Sequence, residues 1–173
     1  QVQINICCDS SLPLMERLLR GDLDMILVDG PVQHPALKTH FFAPESLSLV
    51  THLADQQQFK AQAAGLTLFS FGESCFYYLL ARQWLSQQEL SYSRQSDIES
   101  YDLILNAVRQ GLGFTVMPQT FIAGNPALDG LYHFPLDDLP PCDICLAAPA
   151  NEQSALAQTF YRHLLSDADA SLS

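Results

Sequence analysis

Positive charge is scarce in this sequence. Its 173 residues hold eight Lys and Arg against 19 Asp and Glu, a formal net charge of −11. A surface of that sign repels phosphate backbones and anionic lipid, so the chain by itself is a poor candidate for nucleic-acid binding. Long apolar runs are also lacking. The longest, such as Met25-Ile26-Leu27-Val28, fall far short of the ~20 residues a bilayer span requires. No basic stretch followed by an apolar one opens the chain, and no secretory signal is expected. Cysteine is limited to five residues, an odd number in a chain long enough for its own core. That argues against a disulfide scaffold and for reduced thiols in a cytoplasmic setting. No internal repeat or low-complexity run is present. What the sequence does have is 48% hydrophobic residues with 16% charged, ample for the core of one domain or of two small lobes.

The pattern alternates between strand and helix. Val2, Ile4 and Ile6 predict a half-buried strand running into Cys7-Cys8, whose two side chains point to opposite faces and read as packing. Asp9, Ser10 and Ser11 are N-cap candidates for a helix carrying Leu14, Met15, Leu18 and Leu19, which Gly21 closes. A short apolar strand follows in "DLDMILVDG". A strand pair is expected within residues 34–53, and the polar "ADQQQFKAQAAG" suits a connection between lobes. The strand "LTLFSF" leads through "GESC" into a helix with Phe76, Leu80 and Trp84, and Tyr77, Ala81 and Leu85, at helical spacing. "LSYSRQSDIES" reads as a strand and a capped turn with Ser96 or Asp97 as N-cap. Next comes a helix burying Tyr101, Ile104, Leu105 and Val108, then the strand "GLGFTVMP". "LYHFPL" and "CDICLAAP" add two strands. A last helix from about Glu152 to Leu165 is expected to bury Leu156, Phe160 and Leu164 before the tail frays. Strands and helices alternating at this spacing predict α/β units with mixed, mainly parallel sheets.

Three passages in register carry a family resemblance: "LLRGDLDMILV", "FGESCFYYLLARQWL" and "SDIESYDLILNAVRQGLGFTVMP", with "CDICLAAPANEQSALAQTFYRHLL" closing the chain. Together they resemble the effector-binding domain of LysR-type transcriptional regulators. The resemblance implies two Rossmann-like lobes of the periplasmic-binding-protein type 2 class, about 1–57 plus 134–173 and 58–133, with a small-molecule effector between them. It implies a homo-oligomer, dimer or tetramer, in the full-length protein, which would meet DNA only through a winged helix-turn-helix outside this chain. On the same mapping the first strand and helix of the first lobe are not among these residues. No membrane partner, metal or cofactor is expected. The alternatives are a periplasmic solute-binding protein of the same bilobal class and a thiol-dependent enzyme or redox sensor using Cys75.

The expected effector site gathers Glu73, Ser74, Cys75, Phe76, Tyr78, Ser96, Asp97, Met117 and Pro118. A helix start offers unpaired N–H groups and partial positive charge, so Ser74 with the amides of Cys75 and Phe76 can hold a carboxylate without a basic side chain. Ser74 acting as a plain cap is equally compatible with the pattern. Tyr78 stands where the family often has Arg, which removes a charged clamp. Ser96 is an effector contact on the resemblance. Asp97 disfavours a strongly anionic ligand if it points inward, and acts as a plain N-cap if it does not. Met117 and Pro118 end a neighbouring strand on the side where ligands gather in open α/β sheets.

Cys75 lacks the features of a nucleophile: "GESC" has no second glycine for a nucleophile elbow, and no histidine signature supplies a base. A thiol at a helix start can still be oxidised. Cys142 and Cys145 spell C-x-x-C, but on a strand they face opposite ways and no second ligand pair has zinc spacing. They read as two unrelated core or edge residues.

Overall fold

The structure, a computed structural model, describes residues 3–139, 142–151 and 154–171, with backbone alone for 167–171. In chain order the elements are α1 (Ser11–Arg20), β1 (Ile26–Asp29), β2 (Leu37–Glu45), β3 (Leu47–Thr51), α2 (Gln56–Gln62), β4 (Thr67–Ser70), α3 (Phe76–Gln87), β5 (Arg94–Asp97), α4 (Tyr101–Arg109), β6 (Gly113–Pro118), α5 (Gln119–Ile122), β7 (Tyr132–Pro135), β8 (Cys142–Pro149) and α6 (Ala155–Ser171). They form two compact units, Gln1–Pro44 with Asp143–Ser173, and Glu45–Cys142.

The first unit is a three-stranded sheet in the order β1-β8-β2, with β1 antiparallel to β8. Alternation along β8 sends Ala147 to one face and Leu146 and Ala148 to the other. Leu14 and Leu18, one helical turn apart on α1, bury against Ile26, Val28 and Ala147. Gly21 ends α1 at φ 82°, where the Asp22 amide reaches the Arg17 carbonyl at 2.9 Å. On the other face α6 inserts Tyr161 against Leu146 and Ala148, with Leu164 and Leu165 beside it.

Several expectations for this unit are corrected. Residues 3–10 form no strand, Ile4 and Ile6 are exposed, and so are Cys7 and Cys8, which therefore do not pack in a core; Val2 lies outside the described residues. Alternation sets which face a strand would bury, but a strand also requires a neighbouring edge to pair with, and no strand of the three-stranded sheet pairs with this segment. The buried face of α6 is Ala157 and Tyr161, with Leu156 exposed and Phe160 and Leu164 half-buried. The largest side chain on the stripe sets the rotation. The helix continues to Ser171 without fraying at Leu165, in keeping with the helix-favouring alanines of its last turns; Glu152 lies outside the described residues.

Tyr161 is buried with no hydrogen-bond partner for its hydroxyl among the described residues, and burial pushes its phenol above the usual range. The Lys38 ammonium sits 4.4 Å from its ring centroid and His40 meets it edge-on at 5.6 Å. A raised folded-state pKa adds stability that is fully present below the unfolded value, about 10, and is lost as pH rises through the folded one. Tyr161→Phe is therefore expected to match or exceed the parent's stability at neutral pH, and its advantage should grow above about pH 10. Urea denaturation at pH 7 and pH 10.5 measures this, and a variant losing more stability than the parent at the higher pH would refute it.

The second unit is a five-stranded sheet in the order β5-β4-β6-β3-β7, covered on both faces. The interior strand β3 is buried at all five positions. It sends Leu47 and Leu49 toward Phe59 of α2 and Trp84 of α3, and Val50 toward Ile104 and Val108 of α4. β4 runs parallel to both β5 and β6, whereas β3 runs antiparallel to β6 and β7. The sheets are mixed as expected, but with a larger antiparallel share than "mainly parallel". The chain passes between the units at the end of β2 and at the start of β8.

Because β3 and β7 belong to this sheet, the unit boundaries fall at 44/45 and 142/143 and not at 57/58 and 133/134. The anticipated strand pair also dissolves, since β2 and β3 lie in different sheets. "ADQQQFKAQAAG" is not a linker. Asp55 accepts a hydrogen bond from the Gln58 amide to start α2, and Phe59 is fully buried, meeting Phe114 edge-on at 4.9 Å. Cys142 and Cys145 are both buried, as expected of core residues, and burial raises the Cys145 thiol pKa.

Candidate functional site at the carboxyl ends of β4, β5 and β6

Parallel pairing aligns three strand ends. Ser70, the last residue of β4, is opposite Asp97, the last of β5, and the Ile98 amide donates to the Ser70 carbonyl at 2.8 Å. β6 runs the same way beside β4 and ends at Met117 and Pro118. The segments 73–76, 96–97 and 117–118 thus converge on one end of the second unit's sheet, the end where ligands gather in α/β folds.

The predicted residues differ in what they offer there. Glu73, Ser74 and Asp97 are exposed, and Cys75, Phe76 and Ser96 are half-buried. Tyr78, Met117 and Pro118 are buried. Met117 is fully enclosed among Val50, Ile104 and Ile122. Tyr78 is packed in the α3 core, where burial and then a hydrogen bond with Tyr92 raise its phenol pKa, and the Arg82 guanidinium lies 5.7 Å from its ring centroid. The residue capping α3 is Cys75, not Ser74, and the Cys75 amide already donates to the Gly72 carbonyl at 3.1 Å. Phe76 opens the helix, so its N–H is among those a helix leaves without an intrahelical partner. Ser96 and Asp97 are strand residues and do not cap α4. That role falls to Ser100, whose hydroxyl accepts from the Leu103 amide at 3.5 Å.

Two features of this end escaped the sequence reading. One is a polar knot: Ser70 Oγ accepts from the Gly72 amide and from Gln95 Nε2, both at 3.3 Å, and Gln95 also donates to Asp97 Oδ1 at 2.6 Å. The other is an aromatic cluster in which Tyr101 meets Phe71 edge-on at 4.7 Å and lies tilted against Phe121 at 4.4 Å, all three half-buried. Position at a strand end was the usable signal for the first alone, since Ser70 and Asp97 end the paired strands β4 and β5.

The electrostatics are one-sided. Glu73, Asp97, Glu99 and Asp102 line the loops and first turns, while residues 71–81, 95–108 and 117–125 contain no Lys or Arg. The void beneath α3, bounded by Phe69, Phe71, Cys75, Tyr78 and Tyr101, has room for about one water molecule. By itself this end is a rim and not an enclosed chamber. Cys75 has no histidine at this rim within its own unit: His52 follows β3 at the opposite end of the sheet, and His133 lies on the edge strand β7. Among the described residues no group of three or more His, Cys, Asp or Glu could hold a metal, and no helix is long and apolar enough to cross a membrane.

Residues 1–169 match the family model described as the LysR substrate binding domain. The chain belongs to that family. This LysR substrate-binding domain is 27% identical over 130 residues to the HTH-type transcriptional regulator CzcR of Bacillus subtilis, a match covering 75% of the chain and 44% of that regulator. The domain therefore spans less than half the length of that relative. In fold it is similar to the regulatory domain of Synechocystis PCC6803 CcmR in complex with 2-PG (TM-score 0.70, 18% identity, covering 92% of this chain and 80% of that one). It is also similar to the effector-binding domain of BenM with its effector benzoate (TM-score 0.68, 19% identity, covering 95% and 75%). The fold class is that of LysR effector-binding domains, a family of regulatory ligand-binding domains and not of enzymes.

Proposed function

We propose that this chain senses a small-molecule effector for a bacterial LysR-type transcriptional regulator, whose DNA-binding domain lies outside these residues. The match over residues 1–169 carries this reading. In the full-length protein the domain works within a dimer or tetramer in the cytoplasm. An effector with different affinities for two conformations of the domain shifts their populations, and with them the DNA-binding geometry.

The rim at the ends of β4, β5 and β6 is the proposed effector wall of the second unit. Phe76 N–H and the Ser74 hydroxyl donate to the ligand; Glu73, Ser96 and Asp97 border it. Cys75 positions the helix start, and Tyr78, Met117 and Pro118 shape the wall from behind. The ligand is a small carboxylate or other anion of low charge. Helix amides supply its donors, and the surrounding carboxylates disfavour multiple negative charge. Benzoate, the effector named for the BenM domain, is of this kind.

A thermal-shift screen of small aliphatic and aromatic carboxylates tests the class. A ligand at 100 times its Kd should stabilise the protein by about 2.7 kcal/mol. The amide contact is tested at Phe76, the first helical position, where proline is tolerated but lacks an N–H. Phe76→Pro is expected to bind the carboxylate at least about tenfold more weakly than the side-chain control Phe76→Ala, a difference of about 1.4 kcal/mol. Equal affinities would discard the amide contact, and a screen in which no carboxylate stabilises the protein would discard the anion.

A further inference from the structure

The α4-side core of the second unit is aliphatic over most of its depth. Its one buried aromatic side chain, Phe69, lies among Val50, Ile104, Leu105, Val108 and Ile122. The other aromatic side chains packed on this core, Phe71, Tyr101 and Phe121, are all half-buried. All three stand where strands end. Phe71 follows β4, Tyr101 opens the helix after β5, and Phe121 lies on α5 directly after β6. Aliphatic residues fill the rest of the same layer, so packing alone gives no reason to gather rings at this end. The rings form one surface, with Tyr101 edge-on to Phe71 and tilted 32° to Phe121. Phe71 and Tyr101 also bound the void beneath Cys75, the residue that caps α3 just before Phe76.

Resting on the effector reading above, we infer that Phe71, Tyr101 and Phe121 are the specificity-determining residues of the rim: they form a subsite that takes a planar ring attached to the carboxylate and selects it over a saturated ring. Residues 71–81, 95–108 and 117–125 hold no Lys or Arg, so the carboxylate meets no charged, bidentate clamp there. Apolar contact by the rest of the ligand then supplies most of the binding. Half-buried rings keep part of their surface open for that contact. A flat π-system extends the cluster by offset-stacked or edge-to-face packing, whereas a puckered saturated ring has no quadrupole to pair with theirs. The void has room for about one water molecule, so the ring lies against the cluster and not inside the unit. A thin ring suits that shallow surface.

Isothermal titration of the intact chain with benzoate and with cyclohexanecarboxylate, equal in charge and in carbon count, tests the subsite. Benzoate is expected to bind at least about fivefold more tightly, within the range of aromatic pair effects. Tyr101→Leu and Phe121→Leu should each bring the two affinities to within about twofold of one another by weakening benzoate, and Tyr101→Phe should keep the preference. The unfolding midpoint followed by Trp84 fluorescence shows that each variant is folded. Equal affinities in the parent, or a preference that survives both leucine variants, overturn the ring subsite and leave the carboxylate reading standing. So does a protein that answers aliphatic carboxylates and not benzoate. A protein that answers no carboxylate at all overturns the carboxylate reading and the subsite with it.

Discussion

Gly113→Ala is expected to destabilise the second unit by about 3 kcal/mol, at the upper end of overpacking effects. A Cβ at this position would sit 2.0 Å from the Thr67 carbonyl oxygen and 2.8 Å from the Phe69 ring. The ring could turn away. The carbonyl cannot, because Thr67 is paired with Gly113 in the parallel β4–β6 ladder. Relief therefore means separating the two strands whose ends carry the candidate rim. The single tryptophan, Trp84, is buried in this unit, so its fluorescence during urea denaturation reports the unit's own unfolding. A midpoint matching the parent's would show that the strands do not approach so closely. The second glycine of "GLG" thus has a steric reason, and the first ends the turn after α4 at φ 75°.

The second large effect is expected at Phe59, inside a segment whose composition reads as a linker. Phe59→Ala removes the one large apolar side chain of α2, which is fully buried against Phe114 at the centre of the α3-side core. A loss of about 3–5 kcal/mol is expected, as for other phenylalanine truncations in cores. Gln57→Ala and Gln58→Ala, at exposed positions of the same helix, should stay within about 0.5 kcal/mol of the parent. Trp84 fluorescence distinguishes the outcomes, and a Phe59→Ala variant as stable as the glutamine variants would return α2 to the status of a connection. One apolar residue in a polar heptad carries little periodic signal, yet a single aromatic anchor is enough to dock two turns of helix.

The site was legible to a different depth at each residue. Helix starts are marked locally by short polar residues, so the loop at 72–75 and the turn at 96–100 were both found. Which residue caps was not. Ser100 takes the cap of α4 because β4 keeps β5 paired through Asp97, three residues further than local preference alone suggests. Tyr78 was expected to face a ligand because it replaces a charged residue of the family pattern. Helix rotation instead turns it into the core beside Tyr92. The Phe71–Tyr101–Phe121 cluster joins residues up to 50 positions apart (121 − 71), a proximity no local pattern encodes.

Local pattern by itself determined the element types over most of the chain, the glycine stops, the buried stripes of α1, α3 and α4, and three passages specific enough to indicate the family. These depend on backbone conformation and on apolar period within a few residues, which the chain states directly. Only the tertiary structure decided strand partners. Pairing moved β3 and β7 into the second unit, left the alternating residues before Cys7 without a strand, and exposed that cysteine pair. A strand is completed by an edge elsewhere in the chain, and the free energy of that edge is not written in the strand's own residues.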